Sequence, residues 1–151
     1  MAEEIKIDIF KLDLEEVGKR SDNPQIFMYK GLDLRNILYA PTEYWKLNLK
    51  EHKEICNKAG PKGYGWVVPN TIYFLDIGEC ANIHDYMYHI GVTIKDKEEA
   101  DRVFLNNMIR WILHKTKSKI MKWLRLGRAQ KYFSAVCIYG GPAFWSGKNN
   151  I

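Results

Sequence analysis

Helical spacing of apolar residues is the feature that most limits what this chain can fold into. After Asp96, apolar side chains recur every three or four positions, which is the spacing of one face of an α-helix. These positions are Ala100, Val103, Phe104, Met108, Trp111 and Ile112. The pattern continues to about Ile138, with a break expected near Ser118 or Gly127, and Asp96 with Glu99 reads as a capping box at its start. The second half of the chain is therefore predicted to be helical.

Two further helices are predicted upstream. Asp76 with Glu79 reads as a capping box, and Gly91 is a stop signal, so a helix is expected between them. Thr42 is the expected N-cap of an earlier helix that runs towards Ile55. The Gly- and Pro-rich residues 56–65 then predict a loop.

Extended structure is expected in shorter segments. Residues 5–11 alternate apolar and polar side chains and predict a strand, with which residues 25–29 are expected to pair. Residues 67–74, interrupted by Pro69, are expected to cross the core in extended form. A length of 151 residues fits one domain, with residues 1–40 as a β-containing extension and 41–151 as a helical core.

Composition favours a cytoplasmic protein. The acidic N-terminus is followed by no long apolar run, so neither a signal peptide nor a spanning helix is expected. Three cysteines, Cys56, Cys80 and Cys137, are far apart and odd in number, which favours reduced thiols.

Charge is divided unevenly along the chain. All 18 acidic residues lie at or before Asp101, where 13 Lys and Arg leave a net charge of −5, whereas residues 102–151 carry ten Lys or Arg and no acid. From Arg110 to Lys131 these cations alternate with aromatic and aliphatic residues. Such a segment suits an anionic membrane surface, nucleic acid, or simply a basic helix face in water.

One short motif carries chemistry. His84 and Asp85 are adjacent on a predicted helix and must point about 100° apart, while Tyr88 shares the face of His84. If the two helices flanking Gly91 are antiparallel, Asp101 comes within reach of His84. A neutral His can act as general base, Asp101 can fix its tautomer, and Tyr88 can hold Asp101 by a hydrogen bond. Each residue alone has an ordinary structural use, such as a hydrogen-bonded core histidine or a carboxylate at a helix start.

Two other motifs lie before and after this one in the sequence. A glycine loop at residues 59–63 precedes His84-Asp85-x-x-Tyr88, and Ala100-Asp101-Arg102 follows it. In this order the three motifs resemble the phospholipase A2 family, over about residues 56–112. The chain departs from secreted members in lacking cysteines at Ala81 and Asn107, so the disulfide that ties their two helices is absent.

The resemblance implies a fold, a reaction and a cofactor. The expected fold is mainly α, with a phospholipase A2-like core of two antiparallel helices, additional helices and a short N-terminal β element. The expected reaction is calcium-dependent hydrolysis of the sn-2 ester of glycerophospholipids, with His84, Asp101 and Tyr88 as catalytic residues. The implied Ca²⁺ ligands are Asp85 and the carbonyl groups of Lys58, Gly60 and Lys62. The alternatives are a catalytically inactive member of the fold that binds lipid or protein, and a basic nucleic-acid-binding domain.

Overall fold

A computed structural model describes residues 27–58 and 68–148, and these residues are mainly helical. The helices are α1 (Leu49–Lys58), α2 (Gly78–Ile90), α3 (Ile94–Lys115), α4 (Lys119–Tyr139) and α5 (Gly141–Trp145). Four two-residue strands are β1 (Met28–Tyr29), β2 (Leu32–Asp33), β3 (Thr71–Ile72) and β4 (Leu75–Asp76). Single 3-10 turns span Leu34–Asn36 and Tyr44–Lys46. The prediction of a mainly α fold with a small β content is confirmed.

The start of α1 differs from the prediction. Thr42 does not cap a helix, because the chain first makes the 3-10 turn at Tyr44–Lys46 and α1 begins at Leu49. The reason is a better cap downstream: the Glu51 amide donates to Asn48 Oδ1 at 2.9 Å, and the Asn48 amide donates to Glu51 Oε2 at 3.3 Å. Tyr44 and Trp45 are consequently free to enter the core, where both are buried.

Both predicted capping boxes are shifted. At α3 the N-cap is Thr93, whose Oγ1 accepts from the Asp96 amide while Asp96 Oδ2 accepts from the Thr93 amide at 2.9 Å. Asp96 is thus the last of the four residues of the box, at N3, and not its first, and Glu99 pairs with Arg102 at the surface. At α2, Asp76 Oδ1 accepts from the Gly78 amide, but Ile77 occupies the N-cap position and makes no side-chain cap.

The long helical pattern breaks at one of the two predicted places. Thr116 ends α3, and Ser118 caps α4 by accepting from the Met121 amide at 3.3 Å. Gly127 lies inside α4 without interrupting it. A glycine in a helix interior costs about 1 kcal/mol relative to alanine, which the packing of a 21-residue helix readily exceeds.

The strands form two separate antiparallel hairpins. β1 pairs with β2 through a loop at Lys30 and Gly31, and β3 pairs with β4 through Tyr73 and Phe74. The partner predicted for residues 25–29, residues 5–11, lies outside the described residues. Of the segment 67–74, predicted to cross the core in extended form, residues 68–74 are described, and they do not cross it, because the chain reverses at Phe74, which is 96% exposed.

One hydrophobic core unites these elements. α3 packs against α2 on one side and α4 on the other, and α1 packs against α2. The segment before α1 adds Phe27, Leu38 and Trp45 to the same buried cluster. No helix within the described ranges combines the length and the apolar character needed to pass through a bilayer. The three cysteines are free thiols, of which Cys137 is exposed.

Candidate active site

Asp101 is the centre of a buried polar network between α2 and α3. Its Oδ1 accepts from Tyr88 Oη at 2.7 Å and lies 2.8 Å from His84 Nε2, and its Oδ2 accepts from Lys97 Nζ at 2.7 Å. The Asp101 residue is only 1% exposed, and His84 is 7% exposed. The structure therefore brings together the three residues that the sequence predicted as catalytic.

Helical spacing and a short connection build this network. His84 and Tyr88 are four residues apart on α2, and Lys97 and Asp101 are four apart on α3, so each pair lies on one face of its helix. Only residues 91–93 separate the two helices, which makes them run in opposite directions. The face carrying His84 and Tyr88 therefore meets the face carrying Lys97 and Asp101.

Electrostatics fix the protonation of the pair. Burial alone would raise the pKa of Asp101, but hydrogen bonds from His84, Lys97 and Tyr88 outweigh it and hold that pKa below its usual value. Burial lowers the pKa of His84, against the opposing effect of Asp101. An ionised Asp101 can only accept, so a neutral His84 donates its Nε2–H and keeps the lone pair on Nδ1. This tautomer is the one that can take a proton from water.

Aromatic packing orients the imidazole. The His84 ring centroid lies 4.1 Å from that of Tyr88 and 4.8 Å from that of Phe104. Phe144 of α5 packs edge-on against Tyr88 at 5.3 Å. Gly140, between α4 and α5, allows the closest approach, since a Cβ there would collide with Tyr88 Oη. The C-terminal end of the chain thus holds Tyr88 against Asp101.

Lys97 is the member of the network that sequence reasoning missed. It is 5% exposed, and besides Asp101 it donates to the Val136 carbonyl of α4 at 3.0 Å. A lysine four residues before a predicted catalytic aspartate, on a helix with a buried face, was a signal that could have found it. Through Lys97 the carboxylate of Asp101 is tied to a third helix.

Asp85 has the opposite surroundings. Its side chain is half-buried, and within the described ranges no hydrogen-bond donor or cation is paired with it. Burial raises its pKa from 3.8 to about 7. Among the described residues, therefore, burial disfavours the charged form of Asp85 and no neighbouring donor offsets that effect.

The end of α1 lies beside this carboxylate. Cys56 Sγ donates to the Asn82 carbonyl of α2 at 3.6 Å, and the charge of Asp85 contributes to the raised pKa of Cys56. Lys58, predicted to offer a carbonyl oxygen to the ion, lies two residues further along, at the last described position of α1. The other predicted ligands, Gly60 and Lys62, lie outside the described residues.

No three His, Cys, Asp or Glu side chains among the described residues form a metal-binding group. A calcium site of the expected kind would not produce such a group, since it takes one carboxylate and several backbone carbonyl groups.

The main surface cavity of the described residues is not at His84. It has a volume of about 210 Å³ and lies at the start of α2, against β1 and Trp111. Among its lining residues are Tyr29, Leu38, Gly78, Asn82 and Trp111. His84 is not among the residues that line it.

A second polar cluster joins α1 to α2. Tyr44 Oη donates to Glu79 and lies 3.0 Å from His52 Nε2, and His52 Nε2 is 3.7 Å from Glu79. Glu79, predicted as part of a capping box, is instead the acceptor that satisfies a fully buried tyrosine.

Neither a protein-family model, nor a curated protein, nor a solved structure matches this chain. The case for a function therefore rests on the residues and their geometry.

Proposed function

We propose that this protein is a phospholipase A2-like hydrolase that cleaves the sn-2 ester of glycerophospholipids with the help of Ca²⁺. The observation that carries the proposal is the His84–Asp101 hydrogen bond of 2.8 Å, completed by Tyr88 and set beside Asp85, for which the described residues supply no partner. The order of the motifs along the chain supports the same assignment.

The proposed chemistry divides between the two faces of α2. His84 accepts a proton from a water molecule at Nδ1, and Asp101 stabilises the imidazolium that forms. Tyr88 keeps Asp101 in place. On the other face, Asp85 and the carbonyl groups of Lys58, Gly60 and Lys62 would hold the calcium ion. When bound, the ion supplies polarisation of the ester carbonyl and stabilisation of the oxyanion.

The free thiols bear on where this activity takes place. Cys137 is exposed and Cys56 and Cys80 are buried apart, with no disulfide among them. Such thiols suit a reducing compartment such as the cytoplasm.

Release of fatty acid from mixed phospholipid vesicles, with calcium and with chelator, tests the proposal. We expect calcium-dependent release, and a loss of at least about 100-fold in His84→Gln because the general base is removed. Phospholipids with a distinct acyl chain at each position report which ester is cleaved. His89→Gln is the matched control, since His89 is an exposed histidine on the same helix. Undiminished release by a folded His84→Gln variant would refute the assignment.

A second candidate is a module that keeps the arrangement without catalysis and binds lipid or protein. The observation that favours it is the burial of His84, which is 7% exposed and does not line the main cavity. Calorimetric titration separates the two candidates. The hydrolase should bind calcium with release of heat that disappears in Asp85→Asn, whereas the module should show no specific calcium binding.

A further inference from the structure

The outward side of α4 carries large apolar residues in water. Ile120 is 75% exposed, Trp123 is 74% exposed and Ile138 is 69% exposed. They belong to a stripe of exposed positions with helical spacing, which we call the outer face. The outer face consists of Ile120, Trp123, Gly127, Lys131, Ser134 and Ile138. Three large apolar side chains so exposed on one helix are a binding surface and not an ordinary solvated face.

The side of α4 opposite the outer face makes the contacts that hold this helix in the fold. Ala129 and Val136 are buried in the core. Arg125 donates to the Tyr73 carbonyl, and Arg128 donates to the Tyr73 hydroxyl, each at 2.8 Å. These two arginines are thus engaged with the β3–β4 hairpin. The residues of the outer face make none of these contacts, so nothing in the packing of the described residues explains their apolar character.

The charged residues of α4 and of the connection before it are all basic. Lys119 and Lys131 are exposed on α4, and Lys115 and Lys117 are exposed just before it. The chain has no acidic residue after Asp101, so no carboxylate on α4 balances these cations. A positive surface that also presents Trp and Ile matches an anionic lipid interface, where the ammonium groups meet headgroups and Trp sits at their level.

We infer that the outer face of α4 docks this protein onto an anionic phospholipid surface. Nucleic acid would bind the cations through its phosphates, but it would not explain the exposed Ile120 and Ile138 near the two ends of α4. A second copy of the chain would bring two basic, acid-free faces together, and their charges would repel. An anionic bilayer interface offers favourable contacts to both the cations and the aliphatic side chains.

This docking would serve the proposed hydrolase, but it is measured without catalysis. Binding of the full chain to vesicles is followed by co-sedimentation in chelator, so a failure of calcium-dependent hydrolysis leaves the result unaffected. The probes are vesicles of phosphatidylcholine alone and vesicles of phosphatidylcholine mixed with phosphatidylserine in equal parts. We expect binding to the mixed vesicles and much weaker binding to phosphatidylcholine alone, with the difference lost at high salt.

Three variants of α4 test the inference. The double variant Ile120→Ser/Trp123→Ser should weaken binding on the order of tenfold or more, because two apolar side chains no longer leave water. Lys119→Gln and Lys131→Gln should each weaken it by about fivefold. The matched controls lie on α1, where Leu49 and Lys50 are also exposed. Leu49→Ser and Lys50→Gln should bind like the unaltered protein.

Three results would overturn the inference. One is equal binding by the unaltered protein and the double variant, with circular dichroism showing both folded. Another is displacement of the protein from the vesicles by a DNA or RNA duplex, with the double variant binding that duplex undiminished. The last is a dimer in sedimentation analysis that dissociates in the double variant, since the outer face would then be a self-association surface.

Discussion

Asp85 and Asp101 are two shielded carboxylates on neighbouring helices, and their surroundings are opposite. Asp101 is in contact with three donors, and its pKa lies below the usual value. Asp85 has no donor among the described residues, and burial raises its pKa to about 7. Burial therefore does not decide the state of a carboxylate in this fold. Three donors stabilise the charge of Asp101, whereas no donor among the described residues does so for Asp85.

Removing the charge of Asp101 should have the largest effect. In Asp101→Asn the buried Lys97 ammonium loses its counter-charge, and we expect a loss of about 3–5 kcal/mol in the free energy of unfolding. Urea denaturation measures this loss. The double variant Lys97→Met/Asp101→Asn should recover a good part of it, because no buried charge is left unpaired. A loss below about 1 kcal/mol in the single variant would mean that the network is not buried as described.

Adding a side chain at Gly140, which packs against Tyr88, should have the second-largest effect. In Gly140→Ala the new Cβ would collide with Tyr88 Oη and the Val136 carbonyl, which receives the Lys97 hydrogen bond. We expect a loss of up to about 3 kcal/mol, together with weaker hydrolysis, because Tyr88 must move away from Asp101. Gly127→Ala is the control. Nothing lies within 4 Å of a Cβ at Gly127, so this variant should be more stable by about 1 kcal/mol. Equal stability of the two variants would contradict the close approach at Gly140.

Neutralising Asp85 should stabilise the protein, which is the reverse of the Asp101 result. A folded-state pKa raised from 3.8 to about 7 means that the folded chain holds the proton more tightly than the unfolded chain. Stability is then lost as pH rises from about 4 to about 7. That shift corresponds to at most roughly 4 kcal/mol, and partial contact with water makes on the order of 2 kcal/mol the expected size.

Thermal unfolding across this pH range measures the difference. Without calcium, Asp85→Asn should be more stable than the unaltered protein above pH 7 and equal to it below about pH 4. If the two curves stay parallel throughout, Asp85 is not the shielded carboxylate described above.

Calcium should have the smallest effect and the opposite dependence on Asp85. At a calcium concentration ten times the dissociation constant, the gain in stability is about 1.4 kcal/mol. We expect this gain, read as a rise in melting temperature, in the unaltered protein and its loss in Asp85→Asn or on addition of chelator. An equal rise in both proteins would place the ion elsewhere.

The sequence predicted the parts of the fold that depend on local patterns of residues. The helical periodicity around Met108, the stop at Gly91 and the break at Ser118 all depend on residues within a few positions of each other. The His84–Asp101 contact was also within reach, because a short connection between two helices leaves few ways to pair their faces.

What the sequence did not predict depends on competition between similar signals. Thr42 and Asn48 are both acceptable N-caps, and Asn48 won because Glu51 completes its capping box. Glu79 was predicted as a capping residue, but it accepts a hydrogen bond from the buried Tyr44 hydroxyl instead. Such choices are made by partners far away in sequence, and no local pattern records them.

The two hairpins differ in how far their own turns stabilise them. In the first turn Lys30 and Gly31 have φ angles of 46° and 83°, and Gly31 accepts its value without strain. In the second turn Tyr73 and Phe74 have φ angles of 41° and 68°, which side chains of their kind resist. Arg125, Arg128 and Tyr132 hold this second hairpin from positions 52 to 61 residues further along the chain. The turn that leads into the His84 helix therefore depends on α4 for its stability.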